Sequence, residues 1–309
     1  MTAKIDVVLD VLRNPDATLT AKMLYNLSDL EGEDKKQLYE EWGTIPLERR
    51  RKLMHRIVEV AETNFEMDFS AVTQLAMTDL DAELREAAVD ASWTDESPEM
   101  LRRLMPLASI DISPNVRAAA VGALGRFIEM GELGKFDKQH ARQAELLALK
   151  IYNNASLDTN IRRRALEAIS NCSRPEVAGM IEESYKDNDI RMRSSAVYAM
   201  GRTCDERWEG IVLRELKNRD AMMRYEAARA AGELSMEQAI PQLGKLLEEA
   251  DREVMEMAVW ALGEIGGAEA QRFLRELSDQ AEKDGDDDLV SAIEEALAAA
   301  TLAGGDLVF

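Results

Sequence analysis

The chain has 309 residues, room for one large core or two ordinary domains. Its formal charge of −21 argues against nucleic acid and against a polybasic membrane anchor, because both need clustered Lys and Arg. Ala, Leu, Glu, Arg and Met dominate, Pro occurs only seven times and β-branched runs are rare, so helix is expected and sheet is not.

In chain order, residues 1–65 read as helices over 5–12, 17–30, 34–42 and 47–62. Pro46 suits a helix start. This segment is expected to be an N-terminal helical cap over a repeat array spanning 66–302. The basic run Arg49, Arg50, Arg51, Lys52 reads as a solvated helix face beside acidic neighbours. Lys4, Asp6 and Asp10 interrupt any apolar core of a signal peptide.

From residue 81 one pattern recurs: Asp, an Arg four positions later, then Ala at +3 and +6 from the Arg, and often Gly at +8. It reads Asp81, Arg85, Ala88, Ala91, and returns at Arg117 without the Asp. It comes again from Asp158 and Arg162, from Asp189 and Arg193, and from Asp220 and Arg224. Two copies follow with Met255 and Val290 where the Arg should be. The intervals along this column are 32, 45, 31, 31, 31 and 35 residues. Positions +3, +6 and +7 are mostly apolar and share one helical stripe. The Asp is placed to N-cap that helix. A second amphipathic stretch precedes each Asp, for example 176–186, 206–217 and 237–249. Each unit is therefore a helical hairpin, and one hairpin cannot bury its apolar face alone. About seven hairpins are expected, with an insertion near 127–140 and a flexible tail over 303–309.

The pattern resembles the HEAT family, especially its short-period subtype found in phycobilin lyases. The closest segments are Asn115-Val116-Arg117 and Asp189-Ile190-Arg191-Met192-Arg193. The resemblance implies an all-α, right-handed α-α superhelix whose second helices line the concave side. It says little about function.

Function is sought where the copies differ. At +1, +5 and +9 from the Arg the residues vary widely, and these positions share one helix face. Tyr198, Arg202, Tyr225, Arg229 and Trp260 stand out there, because aromatic and Arg side chains dominate interface hot spots. The Arg column, with Asp81, Asp158, Asp189 and Asp220, reads instead as a structural ladder expected to end where the Arg ends. From residue 230 onward there are 19 acidic and five basic residues, against 13 and 14 over 157–229. That bias favours a basic partner.

Only His55 and His140 occur, far apart, so a His-rich metal site and the iron chemistry of HEAT-type deoxyhypusine hydroxylases are not expected. No cofactor is expected. Cys172 and Cys204 read as buried thiols of a cytoplasmic protein. The leading expectation is a non-enzymatic, monomeric scaffold or adaptor that holds a protein or peptide, without nucleic acid or membrane. The alternatives are a chromophore-handling protein similar to phycobilin lyases and a regulatory subunit of a larger complex.

Overall fold

The computed structural model describes residues 4–64 and 66–303. Among them are eighteen α-helices, three short 3₁₀ turns and no strand. The chain divides into two compact units, Met1–Ala168 and Ile169–Phe309.

The first unit opens with α1 (Lys4–Arg13), α2 (Ala21–Tyr25), α3 (Gly32–Glu41) and α4 (Leu47–Thr63). Ile5, Leu9 and Leu12 of α1, Leu38 of α3, and Leu53, Met54 and Ile57 of α4 are fully buried. The helix expected over 17–30 shrinks to five residues. Asn14 caps a turn before it, and Asp29 leaves the helical region at φ 56° after it. Hairpins follow: α5 (Ser70–Ala76) with α6 (Ala82–Asp90) and α7 (Pro98–Ile110) with α8 (Pro114–Glu132); α9 (Lys138–Tyr152) packs on α7 and α8, and α10 (Thr159–Ile169) comes next, its last residue in the second unit. The second helices stack, α4 on α6 and α6 on α8.

The insertion near 127–140 forms no long loop. It lengthens α8 to 19 residues and leaves a short turn before α9. Phe127, fully buried, meets Phe136 edge-on at 5.3 Å. Gly134 turns the chain there at φ 70°.

The second unit holds α11 (Pro175–Tyr185), α12 (Ile190–Arg202), α13 (Glu209–Glu215), α14 (Ala221–Glu233), α15 (Ile240–Leu246), α16 (Arg252–Ile265), α17 (Gly267–Asp284) and α18 (Asp287–Ala303). Helices α12, α14, α16 and α18 pack in series, each also against its own first helix. The stretches 206–217 and 237–249 open with 3₁₀ turns at Glu206–Trp208 and Glu237–Ala239, so α13 and α15 are shorter than the pattern suggests. The described residues are thus all-α, with second helices stacking in series within each unit.

Two local devices set the array. Every second helix from α6 onward starts at a side chain that accepts a backbone N–H. Asp81, Asp158, Asp189, Asp220, Asp251 and Asp286 do so, and Ser113 replaces the missing Asp of α8. Each relieves an orphan donor of the first turn. The second device is glycine. A Cβ on Gly201, Gly232 or Gly263 would lie 2.8, 3.0 or 2.9 Å from the Cα of Ala230, Ala261 or Ala296 on the next second helix. The helices therefore touch backbone to backbone at these three steps.

Two expectations need correction or limits. Cys172 is buried, but Cys204 is exposed. It occupies the left-handed turn after α12 at φ 49°, where its N–H reaches Gly201 O; Cys172 makes the same kind of turn after α10 without the positive φ and stays buried. The tail expected over 303–309 lies outside the described residues beyond Ala303. Among the described residues, no helix is long and apolar enough to cross a membrane.

Candidate interaction surface

The Arg column points inward, onto backbone. Arg85 donates to Asp79 O (2.8 Å) and Leu80 O (3.0 Å), and both its other nitrogens grip the Asp111 carboxylate at 2.8 and 2.7 Å. Arg117 reaches Ala108 O and Arg162 reaches Tyr152 O, at 3.2 and 3.0 Å. Arg193 donates to Asp187 O and Asn188 O. Arg224 repeats this with Asn218 O and Arg219 O and adds Glu249 at 2.8 Å. These carbonyls belong to the turn or helix end before each second helix. The column itself stops at Arg224, but a cross-repeat ion pair reappears in another register, from Arg252 to Asp286.

Arg50 belongs to this column and the sequence reading missed it. It donates to Ile45 O at 3.2 Å and pairs with Asp79, as Arg85 does one copy later with Leu80 O and Asp111. Its interval to Arg85, 35 residues, was the available signal. Pro46 in the Asp position and Leu53 in the Ala position hid it. Both side chains of the pair are buried, Asp111 6% and Arg85 9% exposed. Burial pushes its carboxyl up, yet the Arg85 hydrogen bonds and the Ser113 N–H outweigh that and hold it below the usual range. Asp81 is lowered chiefly by its hydrogen bonds from Arg51.

The variable face looks different. The +5 and +9 positions of successive second helices meet one another. The Arg229 guanidinium lies 4.5 Å from the Tyr198 ring centroid, one repeat away. Arg202 donates twice to Asn171 Oδ1, at 3.0 and 2.9 Å, and once to Glu233 Oε1 at 3.4 Å. Glu233 also accepts from Arg229 at 3.3 Å. Asn171, Arg202 and Glu233 are spaced by 31 residues, as are Tyr198, Arg229 and Trp260. That equality was the signal for Asn171 and Glu233, which the site reading left out.

Four of the five predicted residues are thus half-buried and Trp260 is exposed. Trp260 seats its ring edge over Gly232 and leaves 37% of the residue in solvent. Tyr225 lies one helical turn before Arg229 on α14. Burial pushes its phenol up, and the Glu226 charge adds to this. Tyr198, Arg202 and Arg229 form one network with Glu233, and Tyr225 and Trp260 stand beside it. Glu256 and Glu264 flank Trp260 at one turn on either side, both exposed. The surface therefore offers one large aromatic face, a guanidinium–phenol stack and an acidic margin.

The two histidines are separate. His55 contacts Glu83 at 3.1 Å and His140 contacts Asp137 at 2.9 Å. Among the described residues, no group of three or more His, Cys, Asp or Glu side chains is arranged to hold a metal ion.

The family model for HEAT repeats matches residues 211–298, the stretch that includes both copies without the Arg. No curated protein matches the chain. Among solved structures, human deoxyhypusine hydroxylase in complex with glycerol is 16% identical, with 96% of each chain covered and a TM-score of 0.38. An engineered protein is 17% identical over 96% of this chain and 88% of its own, at TM-score 0.40. A Kap121p mutant is 13% identical over 85% of this chain and 33% of its own, at 0.48.

Proposed function

We propose that this HEAT-repeat array is a non-enzymatic scaffold that holds a protein or peptide partner on the variable face of its second helices, centred on Tyr198, Arg202, Tyr225, Arg229 and Trp260. The observation that carries the reading is the contrast between two columns of the same helices. The Arg85-to-Arg224 column is spent on turn and helix-end carbonyls, whereas the +5 column carries at Trp260 a tryptophan that packing leaves more than a third exposed. A large ring left more than a third in water beyond its packing on Gly232 costs solubility, and that remaining face is what a binding anchor offers. The stack of Arg229 on Tyr198 preorganises its neighbour, so little side-chain entropy remains to be lost on binding. The acidic margin of Glu256 and Glu264 favours a partner with Lys or Arg beside its apolar contact.

A photo-crosslinking residue at Trp260 tests this, with one at the more exposed Tyr25 of the first unit as control. In lysate of the native source, Trp260 should yield a discrete adduct that excess unlabelled wild-type protein competes away. The Tyr198→Ala, Tyr225→Ala, Trp260→Ala triple variant should not compete, while keeping its helical circular dichroism. Adducts of equal yield from both positions, or competition by the triple variant equal to wild type, would sink the proposal.

A further inference from the structure

A cavity of about 300 Å³ opens within the second unit, between the turn that follows α10, the start of α11, the end of α12 and the 3₁₀ turn Glu206–Trp208. Three guanidinium groups line it: Arg174, Arg202 and Arg207. Asp205 is the single carboxylate of the lining itself, while Glu176 and Glu233, outside the lining, pair with Arg174 and Arg202. The remaining polar lining includes the Ser170, Ser173 and Thr203 hydroxyls and the Asn171 amide, with the Thr203 proton already donated to Met200 O. One wall is apolar, made of Cys172, Val177 and the Trp208 ring.

The walls are held rigidly. Arg202 bridges two repeats through Asn171 Oδ1 and Glu233. The Trp208 indole N–H donates to Thr203 Oγ1 at 3.1 Å. Arg207 lies 5.7 Å from the Trp208 ring centroid and pairs with Asp205 at 2.6 Å, and its side chain is 55% exposed. An ion pair that exposed exchanges readily, and one carboxylate engages at most two of the five N–H donors of a guanidinium. Arg174 pairs with Glu176 at 2.5 Å at the first turn of α11, whose N-terminal dipole adds positive potential to the same opening.

We infer that this cleft binds a phosphate monoester. The phosphate would lie among Arg174, Arg202 and Arg207, and the organic part against Trp208 and Val177. Three guanidiniums lining one cleft beside an apolar wall match a small dianion with a carbon substituent, which would take over donors from their carboxylate partners, and the volume suits a group of that size. The −21 charge does not prevent this. Residues 157–229 carry 13 acidic and 14 basic side chains, and screening confines an ion's field to roughly 8 Å at physiological salt. The cleft shares Arg202 with the proposed partner face, but the variants that test it, at Arg174, Arg207 and Trp208, leave that face intact, so either can fail without the other.

Isothermal titration with inorganic phosphate, O-phosphoserine and a phosphoserine hexapeptide tests it, with the unphosphorylated hexapeptide and equal ionic strength of chloride as controls. O-phosphoserine should bind at least as tightly as inorganic phosphate. The Arg174→Gln, Arg207→Gln double variant should weaken it by at least about tenfold, the loss of charge-assisted hydrogen bonds, at unchanged melting temperature. A second variant, Trp208→Leu, should weaken O-phosphoserine more than inorganic phosphate. Tighter binding of the phosphopeptide assigns a phosphate carried by a partner chain, and equal binding assigns a free ester. Heat from inorganic phosphate alone, equal affinity in wild type and double variant, or no binding at millimolar concentration would each overturn it.

Discussion

Arg85 and Asp111 show how much one buried pair can decide. Their two parallel hydrogen bonds lie in a region where neither side chain is more than a tenth exposed. Removing one partner would strand the other charge, so Arg85→Met should destabilise the protein by about 3 kcal/mol in urea unfolding. Adding Asp111→Leu should recover most of that loss, because two well-packed apolar residues replace a desolvated pair. The pH dependence has a fixed sign. The Asp111 carboxyl is lowered in the folded state, so the unfolded chain takes up its proton first as pH falls. The pair contributes fully above the unfolded carboxylate value of about 4, and the contribution is lost as pH drops through the lower folded value. The double variant should therefore lose stability less steeply in acid than wild type. An identical acid profile would show that the pair is not coupled to protonation.

Helices pack in this protein at a distance set by the smallest residue. Gly232 faces Ala261 and the Trp260 ring, and a Cβ there would fall 3.0 Å from the Ala261 Cα and 2.8 Å from the ring. Neither the backbone nor a wedged indole can move cheaply. Gly179 on α11 has nothing within 4 Å of its Cβ position. The same substitution should then have opposite signs: Gly232→Ala should lower stability by about 1–3 kcal/mol through overpacking, and Gly179→Ala should raise it by about 0.5–1 kcal/mol through helix propensity. Thermal unfolding of the two variants side by side checks this, and two shifts of the same sign would defeat it. The glycine at +8 was visible in the sequence as part of the repeat. That it sits against the next helix's alanine was not visible, since spacing fixes the face a residue shares and not what the face meets.

Charge acts on the scale of the whole chain. Residues 230–309 hold 19 acidic and five basic side chains, while 157–229 are nearly balanced. A partner steered to the variable face by the first of these stretches would feel a field that salt removes: the screening length falls from about 10 Å at 0.1 M to about 3 Å at 1 M. The affinity of the proposed partner should fall by at least about tenfold across that range. A flat salt profile would leave Trp260 and its aromatic neighbours as the anchor and remove the acidic margin from the model of binding. The cleft around Arg174 and Arg207 gathers three arginines in an acidic chain, a local grouping that composition alone does not reveal.

Composition, the 31-residue interval and the capping Asp were enough to define helical hairpins that must stack, because these depend on neighbours within one helix turn or one repeat. The same spacing identified which helix face varies. What remained hidden depends on contacts between copies. Arg50 joined the Arg column only once its side chain was seen on Ile45 O and Asp79, since Pro46 and Leu53 disguise its copy. Cys204 left the core because a left-handed turn, which leaves no periodic trace, carries it outward. Arg202 and Arg229 looked like free recognition residues and turned out to share Glu233, while Trp260 kept its exposure. Local periodicity determines how each hairpin folds; only the packing of one hairpin on the next decides which polar groups are consumed and which still face water.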